Sequence, residues 1–155
     1  MQRLGHKVVV DSNIVVKFFV LEADSDKADL LWKQCRLGSI RLVCPDLLFV
    51  EAFNVFWRKV ADGELTEQEA VAQTAELLAL GTFGHDPPVF EVIPTTDLLP
   101  EAFGISCRVH HPVYDVVYLA LAARRRLPLL TADQEFYRKI RASYPAAVLL
   151  DDLRF

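Results

Sequence analysis

Four carboxylates of this 155-residue chain stand where the local pattern does not ask for one. Asp11 closes KVVVDSN, a run of β-branched residues that reads as a buried strand, and aspartate is a poor strand residue. Asp133 follows Leu129-Leu130-Thr131-Ala132, which reads as another buried strand. Asp115 lies in VYDVVYLALAA, a helix apolar nearly all round. Glu51 lies in PDLLFVEAFNVFW, roughly opposite an apolar arc centred on Phe53, yet its neighbours at i−3 and i+4 are Leu48 and Val55. Each acid also has an ordinary reading: a turn or helix cap for Asp11 and Asp133, a favourable helix dipole for Asp115, solvent for Glu51. Two of the four, however, follow strands at the edge where open α/β sheets bind ligands. The other two lie near the starts of helices that can approach that edge. The four are therefore expected to form one site.

Such a site needs a counter-charge. Two carboxylates ~4 Å apart repel by about 4 kcal/mol at an effective dielectric near 20, so four cannot all stay ionised without cations or protonation. An all-oxygen donor set without His or Cys suits Mg²⁺ or Mn²⁺ and not zinc. Ser12 and Thr131 add hydroxyls beside Asp11 and Asp133, and Asn13 is placed to orient a carboxylate or a water. Divalent ions in such a setting activate water and neutralise a phosphodiester during in-line displacement.

The elements that must hold these residues are readable. Apolar runs suited to buried strands recur at Val8–Val10, Arg41–Cys44, Val89–Ile93, Pro128–Leu130 and Ala147–Leu150. Helical segments lie between them, and this alternation predicts a parallel sheet covered on both faces. Ser25–Gly38 and Asp46–Val60 have helical spacing, the second with Phe49, Phe53, Phe56 and Val60 on one face. Thr66-Glu67-Gln68-Glu69 is a capping box that opens a helix running to about Gly81. Thr96–Val109 reads as a helix whose start Pro100 obscures, and Pro112 suits the first turn of a helix ending near Arg126. A last helix begins near Asp133 with QEFYRKIRAS, and Gly84–Pro88 reads as a rigid turn. Ser12-Asn13 reads as a turn.

Composition narrows the class. The chain is 52% hydrophobic and 25% charged, which is globular, and the net charge of −4 excludes a globally basic nucleic-acid binder. No apolar run reaches the ~18 residues of a membrane span, and MQRLGHK leads straight into the first strand without a signal-peptide pattern. Cys35, Cys44 and Cys107 are odd in number and widely spaced, which suggests buried thiols in a reducing cytoplasm. Arg124-Arg125-Arg126 closes a helix and complements its dipole. Arg108, His110, His111 and Lys17 are better placed for substrate phosphates. His110 and His111 are adjacent, so they point different ways and make a poor zinc pair. Asp151-Asp152 reads as a solvated turn. Phe18, Phe19, Phe49, Phe53, Phe56 and Trp57 read mainly as core, with some available to an interface.

VVVDSNIVVKFF, PDLLFVEAFNVFW and HPVYDVVYLALAARRRLPLLTADQEF, in that order, resemble the PIN-domain ribonucleases, and most of all the single-domain toxins of VapBC toxin–antitoxin modules. The block YDxxYLALA followed by LPLLTAD is the most specific part. The resemblance covers nearly the whole chain and implies a single PIN-like domain over residues 1–155. It implies a three-layer α/β/α sandwich with a central, mainly parallel sheet of four to five strands. It implies an acidic quartet at Asp11, Glu51, Asp115 and Asp133, supported by Ser12 or Asn13 and by Thr131. Asp133 is either a ligand or an orienting residue in this scheme. The implied activity is metal-dependent cleavage of single-stranded or looped RNA with Mg²⁺ or Mn²⁺. The implied partners are a cognate antitoxin and a second copy of the chain. Three rivals share some of these features. A haloacid-dehalogenase phosphatase requires a second acid where Asn13 stands. A receiver domain requires an acidic pair near the first strand and a late Lys, where this chain has Asp11-Ser12 and Thr131-Ala132-Asp133. A PIN-like scaffold that binds RNA or protein without cleavage does not need the quartet intact.

Overall fold

The computed structural model describes residues 4–21, 25–82 and 88–154, so residues 84–87 of the expected Gly84–Pro88 turn lie outside the described residues. The strands are β1 (Lys7–Val10), β2 (Arg41–Pro45), β3 (Phe90–Ile93), β4 (Leu129–Thr131) and β5 (Ala147–Leu149). The helices are α1 (Ser12–Val16), α2 (Ser25–Arg36), α3 (Leu47–Ala61), α4 (Glu67–Thr82), α5 (Leu99–Val109), α6 (Val113–Arg125) and α7 (Gln134–Ile140). All five expected strands form, and every pairing is parallel in the order β3-β2-β1-β4-β5. β1 is central, with Val8 opposite Leu42 of β2 and Val10 opposite Leu130 of β4. This position explains the uninterrupted valines: a central parallel strand is buried on both faces, and Val8, Val9 and Val10 are fully buried.

The topology sorts the helices into layers. The β1→β2→β3 connections step one way across the sheet, and β3→β4→β5 step the other. Right-handed crossovers then place α1–α4 on one face and α5–α7 on the other. The packing agrees, since α3 touches both α1 and α4, while α5 pairs with α6, which spans β1, β2 and β4. The result is the expected three-layer sandwich. Because the connections leave β1 and β4 toward opposite faces, the crevice between those two strand ends is the switch point where such sheets bind ligands.

Several local expectations change. Ser12-Asn13 opens the short helix α1 instead of making a simple turn, and Asp11 is its N-cap, with Oδ1 accepting from the Ile14 amide at 3.1 Å. The buried stripe of α3 is Leu48, Ala52 and Phe56, and Phe53 is only partly buried. Its centre at Ala52 is one residue, or about 100°, round from Phe53, which brings Glu51 to the flank of the buried face. The cause is α4, which covers the Phe49 side: an added Cβ on Gly81 would stand 2.7 Å from the Phe49 ring, and that ring meets Phe90 edge-on. The capping box forms as read, with the Thr66 amide donating to Glu69 at 2.8 Å and the Glu69 amide to Thr66 at 3.2 Å. The segment after β3 makes a 3-10 turn over Thr95–Asp97 before α5 starts, because Pro100 fits only the first turn of a helix. Cys35 and Cys44 are buried as expected, and desolvation pushes the Cys35 thiol up to about 12, but Cys107 is exposed on α5. Trp57 is also exposed, at 64%, whereas Phe18 stacks on Trp32 and Phe19 meets Phe56.

Candidate active site

Parallel pairing puts the ends of β1 and β4 side by side. The Asp11 amide donates to the Leu130 carbonyl at 3.3 Å, and the Thr131 hydroxyl donates to Asp11 Oδ2. Both Asp11 oxygens are thereby oriented, one by the first turn of α1 and one by β4. Thr131 is fully buried and also accepts from the Asp133 amide at 3.0 Å. Asp133 caps α7 through the Phe136 amide at 2.9 Å, so it reaches Asp11 only by way of Thr131.

Glu51 arrives from α3 on the opposite side of the crevice. Its Oε2 accepts from the Tyr118 hydroxyl at 2.5 Å, and Ser12 donates to it as well. Tyr118 is a core residue of α6, 1% exposed, and its hydroxyl is the polar end that a buried Tyr must satisfy. Asp115 lies one turn earlier on the same helix. Its Oδ2 bonds His111 Nε2 at 2.7 Å. His111 was expected among the phosphate-binding candidates; here it turns inward against Phe136, while His110 takes a left-handed φ of 51° at the end of α5 and stays exposed. The two histidines diverge, which removes any zinc pair.

The electrostatics tie three of the four acids together. Burial raises Asp11 from its ordinary value to about 7, against the Thr131 and Ile14 hydrogen bonds, with repulsion from Asp115 and Glu51 added. Burial also raises Glu51, against its bonds from Tyr118 and Ser12, and Asp115 raises it further. The Tyr118 phenol is pushed well above its usual range by burial and by Glu51. Among the described residues, no Lys or Arg pairs with Asp11, Glu51 or Asp115. The set is all oxygen, crowded and short of positive charge, which fits a hard divalent cation. No three His, Cys, Asp or Glu side chains among the described residues form a ready-made metal cage, so a cation would have to draw the carboxylates inward.

Several other charged residues near the strand ends are held elsewhere. Asp46 also follows a strand, β2, but its carboxylate accepts from the Thr95 amide at 2.8 Å and from the Thr95 hydroxyl. Arg124 pairs with Glu101, and Arg125 with Glu91, in keeping with a structural role for the arginine run. Asn13 and Arg108 are exposed, and Lys17 is partly buried. Tyr118 was missed by the sequence reading. The signal for it was a hydroxyl-bearing residue one turn after Asp115, inside a helix that buries every residue from Val116 to Ala122.

A model of the PIN domain matches residues 8–141, a span that contains all four acids. The chain belongs to the PIN domain family. Among its relatives, Ribonuclease VapC3 of Pyrobaculum aerophilum is 29% identical over 136 residues, covering 88% of this chain and 96% of the relative. Among solved structures, a crystal structure from Pyrobaculum aerophilum superposes with a TM-score of 0.65 at 20% identity, over 95% of this chain and 85% of the other. Mycobacterium tuberculosis VapC20, described as a Sarcin-Ricin loop cleaving toxin, gives 0.61 at 18% identity, over 84% and 93%. A toxin–antitoxin complex from Klebsiella pneumoniae gives 0.58 at 17% identity, over 92% and 97%. In this PIN domain the crevice between β1 and β4 therefore sits in a fold shared with these proteins. Among the described residues, no helix is long and apolar enough to cross a membrane.

Proposed function

We propose that this PIN domain is a divalent-metal-dependent endoribonuclease and the toxin of a toxin–antitoxin pair. The observation that carries the reading is the trio Asp11, Glu51 and Asp115 at the sheet's switch point, paired with no Lys or Arg among the described residues, with Asp11 driven up to about 7 by its surroundings. The names of the relative and of the solved neighbours, a ribonuclease and toxins, support the same reading. Asp11, Glu51 and Asp115 are assigned as holding Mg²⁺ or Mn²⁺, directly or through water, and Asp133 as ligand or orienting residue. When bound, such an ion activates water and neutralises charge on a phosphodiester. The chain's own contribution is orientation: Thr131 and the Ile14 amide fix Asp11, Tyr118 and Ser12 fix Glu51, and Asn13, two residues after Asp11, stands exposed. An antitoxin covering this crevice, a second copy of the chain and a cytoplasmic setting complete the proposal.

Incubating the protein with structured and single-stranded RNA, with Mn²⁺ or Mg²⁺ and then with chelator, tests it. Cleavage with metal and none with chelator is expected. Tight RNA binding without cleavage under every metal condition would instead make the domain a scaffold. Within this scheme Tyr118→Phe removes a charge-assisted hydrogen bond while keeping the ring. We expect kcat/KM for RNA cleavage to fall about tenfold, since one oriented ligand loosens. An unchanged value would mean that Glu51 is held by Ser12 alone.

A further inference from the structure

His111 makes more contacts with the acidic crevice than its place in a loop requires. Its Nε2 meets Asp115 Oδ2 at 2.7 Å, and its Nδ1 lies 3.3 Å from Lys139 Nζ on α7. The ring stacks on Phe136, with centroids 4.7 Å apart. The main chain is clamped too: the His111 amide donates to the Ser106 carbonyl at 3.3 Å, and the Ser106 hydroxyl donates to the His111 carbonyl. Lys139 can only donate, so the imidazole accepts at Nδ1 and donates Nε2–H to Asp115. This leaves Oδ1 as the oxygen of Asp115 with no partner among the described residues. The side chain of His111 is 8% exposed and that of Asp115 40%, so the histidine lies behind the carboxylate and away from solvent.

We propose that His111 is a positioning residue that holds Asp115 by Oδ2 so that Oδ1 is the oxygen offered to a divalent cation, with Lys139 and Phe136 fixing the imidazole. The inference rests on the reading of the crevice as a cation site. Its energetic logic is that an exposed carboxylate at a helix start samples several rotamers, and ordering it in advance removes that cost from binding.

Two variants separate this role from packing. His111→Phe keeps an aromatic ring against Phe136 and loses the donor. His111→Gln loses the ring and places an amide nitrogen near the position of Nε2. Mn²⁺ affinity by calorimetry and thermal melting are measured for both and for the unaltered protein. We expect His111→Phe to weaken Mn²⁺ binding by about tenfold or more and His111→Gln to stay within about threefold. RNA cleavage should follow metal affinity and not melting temperature. Native affinity in His111→Phe, or equal losses in both variants, overturns the positioning role and leaves the cation site standing. Failure of the unaltered protein to bind Mn²⁺ overturns the cation site and this inference with it. If His111→Phe does not fold, the Gln variant decides, since loss of binding in a folded His111→Gln protein also overturns the proposal.

Discussion

Asp11→Asn is expected to reduce metal-dependent RNA cleavage by about a thousandfold or more while leaving the fold intact. The two halves have separate causes. Asn is nearly the same shape and is as good an N-cap as Asp, so its carbonyl oxygen keeps the Ile14 bond that starts α1. Its amide meets the Thr131 hydroxyl, which can turn from donor to acceptor. What disappears is the negative charge at the most buried of the acids. A thousandfold loss corresponds to about 4 kcal/mol of transition-state stabilisation, a reasonable share for one ligand of a metal site. Single-turnover cleavage with saturating Mn²⁺, beside a melting curve, measures both halves. Activity within tenfold of the unaltered protein would sink the assignment of Asp11.

The second large effect is on stability and runs with pH. Asp11 ionises near 3.8 when unfolded and near 7 when folded without metal. A folded-state value raised in this way means that the native state holds its proton more tightly. Its stabilising share is complete below about 4 and is lost as pH climbs through about 7. A shift of some three units is worth about 4 kcal/mol, and Glu51 is displaced in the same direction. Glu91, held low mainly by Lys7, works the other way, but its effect is confined to pH below its ordinary value of 4.5. In chelator the melting temperature should therefore fall by about 10 °C between pH 5 and pH 8. Saturating Mn²⁺ should flatten that slope at the alkaline end by favouring the ionised acids. Asp11→Asn should lack most of the slope and, above pH 7, melt higher than the metal-free parent. A parent curve that is flat over this range, or one matched by the Asn variant, would show that Asp11 is solvated well enough to ionise normally.

The fold was legible because its signals were long and consistent. Five apolar runs gave five strands, and the capping box at Thr66 marked the start of α4 to the residue. α1 escaped because SNIVV is only five residues long, opens with turn formers and continues with β-branched residues that favour strands. The orientation of α3 was misread for a different reason. Its apolar arc is wide, and sequence periodicity reports the average of two buried surfaces, one toward α1 and one toward α4. Only the packed structure shows that the buried stripe is Leu48, Ala52 and Phe56, which carries Glu51 to the flank of the buried face. The four acids were visible as pattern breaks, and the structure brings Asp11, Glu51 and Asp115 into one field while holding Asp133 at one remove. Tyr118 and His111 were harder: Tyr118 was counted within an apolar helix, because its partner Glu51 lies 67 positions away and leaves no local trace, and His111 was counted among the phosphate-binding candidates although Asp115 is only four residues on.

The bond from Thr131 to Asp11 spans 120 positions, and that from Tyr118 to Glu51 spans 67. These separations set an order of events during synthesis. β1, β2 and β3 can emerge and pair early, but Asp11 then sits at an unfinished edge until β4 threads in beside it. A chain halted before residue 131 carries Asp11, Glu51 and Asp115 yet has no wall to orient the first of them. The crevice can close only when residue 131 and so most of the polypeptide has been made. The strand order thus makes the Asp11 wall of the proposed site a non-local feature, among the last contacts that the growing chain can complete.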